Sequence, residues 1–198
     1  RGDAALFAGP DPEAPVREHD MLPAVGYGRA LAPVWGEIRT LCREYGAVRI
    51  HPGRIYGPGG WFLRQVVEPL KYQGACTLAG DLHHWIAPLH ATDTASAFLA
   101  AAERGRPDQD YLVCGEAVRW RDFLAMTCHY MGMRQSARTR PRMLVRLLAG
   151  RLAEEQAWRS CRGDARRART ELRWRPRFAT VRDGLPRTLK DLGVLGWK

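Results

Sequence analysis

The sequence predicts an α/β protein in which an incomplete parallel sheet is followed by a small, basic, mostly helical lobe. Three observations predict it. Short apolar runs at 47–51, 85–89 and 111–114 alternate with helical periodicities, the pattern of βαβ units around a parallel sheet. These strands are fewer than the roughly six of a doubly wound sheet, so the sheet calls for further strands beside it. Beyond about residue 115 the strand pattern stops and arginine-rich helical stretches take over. The expected division is therefore 1–115 for the sheet part and 116–198 for the lobe, with the loop 52–90 intertwined with it.

The elements follow in order. Residues 1–23 are rich in Pro, Asp and Glu and read as loop, with one short strand at 4–7. Proline suits a first helical turn, so a helix is expected to begin at Pro33 and to end at Gly46. Val34, Trp35, Ile38, Leu41, Cys42 and Tyr45 would then share its apolar face. A strand at 47–51 leads into the turn-rich stretch His51-Pro-Gly-Arg-Ile-Tyr-Gly-Pro-Gly-Gly60, and an amphipathic helix follows over 61–72. After the strand at 85–89, Asp93 is placed to cap a small-residue helix running to about residue 102. The strand at 111–114 precedes a helix at 120–131. Further helices are expected at 143–148, 164–172 and 181–192.

Composition narrows the partners. The chain has 198 residues and a formal charge of +10. Between Arg134 and Arg187 there are 16 Arg against 5 Asp or Glu, a net of +11. A one-sided basic segment suits an anionic partner docking through 134–187: nucleic acid, an anionic membrane face, or a nucleotide's phosphates. The skew of 28 Arg to 3 Lys is also what a GC-rich genome produces without any function. Trp158 and Trp174 among these arginines could offer a stacking surface for single strands, although no nucleic-acid-binding motif accompanies them. No apolar run is long enough to span a membrane. Cys42, Cys76, Cys114, Cys128 and Cys161 are widely spaced and odd in number, which argues against structural zinc and for reduced thiols and a cytoplasmic location. No metal site is expected.

Four stretches carry a resemblance. They are Tyr27-Gly-Arg-Ala-Leu31; Val48-Arg-Ile-His-Pro-Gly-Arg-Ile-Tyr-Gly-Pro-Gly59; His90-Ala-Thr-Asp93 followed by Ala95; and Asp164-Ala-Arg-Arg-Ala-Arg-Thr-Glu-Leu-Arg-Trp-Arg-Pro176. In that order they are similar to the Tyr-x-x-x-Lys, Tyr-Gly-Pro-Gly, His-x-x-Asp-x-Ala and Asp-x-x-Lys-Ala-x-x-x-Leu-Gly-Trp-x-Pro motifs of the extended short-chain dehydrogenase/reductases. That family includes the NAD-dependent epimerase/dehydratase enzymes. The resemblance implies an incomplete Rossmann-type sheet whose N-terminal half, with its glycine-rich dinucleotide turn, is absent from these residues. It also implies NAD or NADP as cofactor where that half is present, a small nucleotide-linked substrate, and pairing into a homodimer.

Carried over by position, Tyr27 is the catalytic acid–base group and Asp3 falls at the hydroxyl position that would assist it. Pro52 and Tyr27 lie toward the nicotinamide end of the cofactor. Arg54 and Arg162 are candidate substrate-binding residues, suited to a phosphate or carboxylate by the planar guanidinium fork. The family's lysine, which lowers the tyrosine pKa from near 10, is Leu31 here. An ionised Asp3 would push that pKa upward, and Pro33 would break or kink the helix that tyrosine and lysine share.

Three functions stay open on these residues. The first is an NAD(P)-dependent epimerase, dehydratase or reductase acting on a nucleotide sugar or related hydroxyl or keto compound. The second is a non-catalytic relative that docks as a scaffold or assembly subunit through its arginine-rich surface. The third is a lyase or isomerase that has replaced the tyrosine–lysine chemistry, with Asp3 as base.

Overall fold

A computed structural model describes residues 11, 13–20, 27–80, 82–134 and 137–196 of the chain. Asp3 and the strand expected at 4–7 lie outside the described residues. The first helix, α1, spans Tyr27–Glu44, six residues earlier than the sequence suggests. Pro33 sits inside it. An interior proline gives up its N–H bond and crowds the carbonyl four residues earlier, but its fixed φ is itself helical, and the helix runs through Pro33 instead of starting there. The predicted apolar face is half right. Trp35 packs edge-on against His51 at 5.7 Å between ring centroids, but Val34, Leu41 and Tyr45 are exposed.

The strands β1 (Arg49–Pro52) and β6 (Asp110–Val113) pair in parallel, with Ile50 opposite Tyr111 and Pro52 opposite Val113. One residue later the chain changes partner. The Gly53 N–H bonds to Val113 O, and the Arg54 N–H bonds to Ala87 O. A Cβ on Gly53 would lie 2.2 Å from Ala87 O, so only glycine allows this step. From there β2 (Arg54–Tyr56) pairs in parallel with β5 (Pro88–His90). The strand expected at 85–89 is thus two strands broken at Ala87. Trp85–Ile86, β4, pairs antiparallel with β7 (Val118–Arg119). A further parallel pair joins β3 (Cys76–Ala79) to β8 (Ala137–Arg140). The sequence reading missed this pair because β8 is all Arg, Thr and Ala.

Helix α2 (Gly60–Phe62) continues through a π-helical turn at Leu63–Val67 into α3 (Glu68–Gln73). Its inner side buries Phe62, Val66, Val67 and Leu70, each contributing roughly 1.5–3 kcal/mol on transfer from water. These residues join Phe123, Leu124 and Cys128 of α5 (Trp120–Tyr130) and Leu185 and Leu189 of α8 (Val181–Asp191) in one cluster. A second cluster lies on β1 and β6. It takes Ala97, Ala100 and Ala101 from α4 (Ala91–Arg104), and Ala168, Leu172 and Trp174 from α7 (Arg166–Glu171) and the turn after it. The remaining helix, α6 (Arg142–Ala157), is longer than expected and is interrupted at Gly150, whose φ of 82° leaves the helical region.

Candidate functional site

The loop that leaves β1 and the strand that follows it build the site. Arg54 opens β2, and its guanidinium lies over two indole rings, 4.5 Å from the Trp61 centroid and 5.0 Å from that of Trp120. Both tryptophans begin helices. Trp61 is fixed by its Nε1 donating to Ile55 O at 2.6 Å, and it meets Trp120 at right angles. A cavity of about 200 Å³ opens beside them. Its lining includes Gly53, Arg54, Gln65, His84, Arg159 and Cys161. Arg159 is buried at 8% exposure, so two arginines, one half-buried and one buried, border this small space. Desolvated cations in a cleft suit an anionic group.

Trp85 forms a wall shared with a second, more open cavity of about 690 Å³, lined by Gly115, Glu116, Arg162, Arg169 and Thr180 among others. The guanidiniums of Arg119 and Arg162 each lie 4.5 Å from the Trp85 ring centroid. The Trp85 Nε1 donates to Glu13 Oε2 at 2.7 Å, and Arg162 donates to the Glu13 carbonyl. Glu13 thereby ties the N-terminal segment to Trp85 and Arg162. A parallel bridge between Val16 and Gly163 continues the strap. Glu18 accepts the Leu112 N–H at 2.9 Å, and burial raises its pKa.

The residues singled out from sequence are distributed as follows. Tyr27 is the first residue of α1 and Leu31 stands one turn later, so the two share a helix; their side chains are outside the described residues, as is Asp3. Pro52 is buried at the end of β1. Arg54 and Arg162 border adjoining cavities on either side of Trp85 and do not share one. Sequence reasoning missed Arg159, Trp85, His84 and Glu13. The one available signal was the run His83-His84-Trp85 entering a strand.

In two buried groups the proton is held more tightly than usual. Burial pushes the Tyr56 hydroxyl well above its ordinary value, and nearby Asp93 adds to the shift. Burial likewise raises the Cys114 thiol above its usual range, which disfavours the thiolate.

The His-x-x-Asp stretch is structural glue. His90, not Asp93, caps α4, its Nδ1 accepting the Thr92 N–H at 3.2 Å while Nε2 meets Thr188 Oγ1 of α8 at 3.1 Å. Asp93 sits inside the first turn. It accepts the backbone N–H groups of Arg177 and Phe178 at 2.7 and 2.9 Å. The basic segment is partly neutralised from within. Arg142 and Arg146 face the buried Glu154, Arg166 pairs with Asp164, Arg167 with Glu171, and Arg187 with Asp191. No disulfide joins the five cysteines. Among the described residues no cluster of His, Cys, Asp or Glu could hold a metal ion, and no helix is long and apolar enough to cross a membrane.

The residues present would meet only one end of a dinucleotide. Pro52 ends a buried strand at the sheet's carboxyl edge, where such ligands lie. Glycines 57, 59 and 60, however, lead into a helix of three residues that turns π-helical, which is not the strand–turn–helix cradle a pyrophosphate requires.

No protein-family model and no curated protein matches the chain. Solved structures do. A dTDP-glucose 4,6-dehydratase from Bacillus anthracis in complex with NAD superposes with a TM-score of 0.76 at 16% identity, covering 96% of this chain and 59% of that one. The human epimerase family protein SDR39U1 with NADPH gives 0.78 at 16% identity, covering 96% and 64%. The dehydratase DesIV from Streptomyces venezuelae, with NAD bound, gives 0.73 at 21% identity, covering 96% and 57%. The chain therefore has the Rossmann-type fold of NAD-dependent epimerase/dehydratase structures and spans about six tenths of their length.

Proposed function

We propose that this chain forms the substrate-side part of an NAD(P)-dependent epimerase, dehydratase or reductase acting on a nucleotide sugar or a related hydroxyl or keto compound. The observation that carries the reading is the pairing of this fold with a small cavity bordered by Arg54 and Arg159 and walled by Trp85 and Trp120. Stacking engages the faces of a guanidinium, and its planar edge is what a phosphate or carboxylate uses. Arg54 and Arg162, on either side of Trp85, are the substrate-binding residues in this reading. Pro52 lies toward the nicotinamide, and NAD or NADP supplies the redox chemistry when bound. Tyr27 moves the proton to or from the substrate oxygen. The order of motifs along the chain supports a further N-terminal segment as the source of the cofactor cradle, with 1–115 and 116–198 as the two parts.

A second reading rests on Leu31. The chain has no ammonium group at this position, four residues after Tyr27, which favours a non-catalytic relative that docks through the arginine-rich region 134–187.

Full-length protein titrated with NADH and NADPH, then assayed with UDP- and dTDP-sugars, separates the two readings. The enzyme reading expects cofactor binding and a loss of about 10²- to 10⁴-fold in turnover for Tyr27→Phe. Cofactor binding without turnover of any sugar nucleotide favours the scaffold. Turnover that survives Tyr27→Phe removes Tyr27 from the mechanism.

A further inference from the structure

Helix α6 presents the side of itself that a water-soluble surface normally hides. In its first two turns Val145 is the buried residue, at 5% exposure. At 100° per residue the direction opposite Val145 is occupied by Met143 and Leu147, and these are 83% and 81% exposed. Leu144 and Leu148 flank that ridge on one side, at 39% and 64% exposure. Arg142 and Arg146 flank it on the other. The ridge is thus built into the first two turns, ahead of the break at Gly150.

Along the chain the charge leading into and through these turns has a single sign until Glu154 and Glu155, which pair with Arg142, Arg146 and Arg151. From Ala137 to Leu152 the chain contains Arg138, Arg140, Arg142, Arg146 and Arg151 and no acidic residue. Arg138 and Arg140 alternate along β8, are exposed, and enter the helix at its N-terminal end. Cations at that end oppose the helix dipole, so helix stability does not account for them. Glu154 engages Arg142 and Arg146, so the cations this surface offers are the exposed Arg138 and Arg140 of β8.

We propose that the β8–α6 surface docks on an anionic lipid bilayer, with Met143, Leu147 and Leu148 entering the headgroup–acyl boundary and Arg138 and Arg140 meeting the lipid phosphates. A solvent-facing apolar ridge bordered by Arg matches an interfacial helix in both chemistry and arrangement. A nucleic acid would use the arginines and leave the outward leucines without purpose.

The test is vesicle co-sedimentation of the full-length protein, using phosphatidylcholine alone and an equimolar mixture with phosphatidylglycerol. Binding is expected to the anionic vesicles only and to weaken as salt rises. The double variant Met143→Gln/Leu147→Gln and the double variant Arg138→Gln/Arg140→Gln should each lower partitioning about tenfold. Leu99→Gln, an exposed leucine on α4, should not change it. Absence of binding to anionic vesicles at low salt overturns the proposal. So does binding that ignores Met143 and Leu147 while short duplex DNA competes it away. A dimer in solution that Met143→Gln/Leu147→Gln dissolves overturns it too, because the ridge is then covered by a second copy.

Discussion

Asp93 and Arg54 are anchored on the same pair of parallel strands. Arg54 opens β2, and Asp93 lies in the first turn of the helix that leaves β5. Asp93 is buried at 1% exposure with both carboxylate oxygens on backbone N–H groups of the segment entering α8. Its charge is consumed in holding α4 to the C-terminal lobe. Arg54 is half-buried, with its guanidinium on two indole rings at the border of a cavity. A charge satisfied by main-chain donors is a fastening. A charge stacked on aromatic faces at the border of a cavity is, under the proposed function, a binding group, and the two roles are separable by experiment.

That contrast is broken most directly at Asp93. Asp93→Ala leaves two N–H groups without their acceptor and should cost about 3–5 kcal/mol, measured by urea unfolding. A loss below about 1 kcal/mol would mean that water replaces the carboxylate at no cost and that the junction is not the fastening described.

The second effect tests the packing behind the same junction. Gly184 lies inside α8, where glycine is a poor choice by propensity. A Cβ there would come 2.0 Å from the Tyr56 hydroxyl oxygen and 3.1 Å from Cζ. Gly184→Ala should therefore destabilise by about 1–3 kcal/mol. The Tyr56 hydroxyl is buried with no hydrogen-bond partner among the described residues, so Tyr56→Phe should be near neutral. Combining the two should recover most of the loss, because the phenyl ring lacks the colliding oxygen. Equilibrium unfolding of the four-member cycle reads this as a coupling energy.

The third effect is smaller and appears in the pH dependence. Burial lowers the His90 pKa below its ordinary value. The unfolded chain titrates near pH 6.5, so as pH falls below that point the unfolded state takes up a proton that the native state refuses. Stability then falls with pH, by at most about 1.4 kcal/mol per pH unit for one group. His90→Asn keeps an acceptor to cap α4 and has no proton to gain, so unfolding free energies between pH 7 and 5 should lose that slope. Asp110 acts lower in the range. Burial pulls its carboxyl upward, but hydrogen bonds from His51 and Arg49 outweigh that and hold it well below the usual carboxylate value. Its contribution is present above about pH 4 and is lost only as pH falls further.

How much of this the sequence disclosed follows from which forces set each feature. The cap of α4 was assigned to Asp93 and belongs to His90, whereas the turn-rich stretch after β1 was legible because local geometry requires glycine there, as at Gly53 beside Ala87 O. Alternation of strands and helices was legible for the same reason. The role of Asp93 was not, since its partners lie more than eighty positions away and a carboxylate at a helix start reads as a cap. Strand β8 has no apolar periodicity and exists because β3 offers it a ladder. The helix through Pro33 shows tertiary and helical context overriding a breaker that the sequence presents as a start. Arg159 was hidden by company: among sixteen arginines in one segment, nothing in the order of letters marks the one that is buried.

Arg54 itself carries the finest test of the contrast. Arg54→Lys preserves the charge, whereas a lysine ammonium is a compact point charge without the planar fork or the stacking surface. Loss of the contacts over Trp61 and Trp120 should alter stability by only about 0.5–1 kcal/mol. If Arg54 were a fastening like Asp93, that would be the whole effect, and Arg54→Ala would destabilise by several kcal/mol. If it is held ready for a ligand, isothermal titration with UDP and with inorganic pyrophosphate should show affinity falling about tenfold in Arg54→Lys while the unfolding midpoint barely moves. Arg54→Ala should weaken binding further at a similar cost in stability. A variant that unfolds readily yet binds as before would place Arg54 with Asp93, among the residues that hold the fold together.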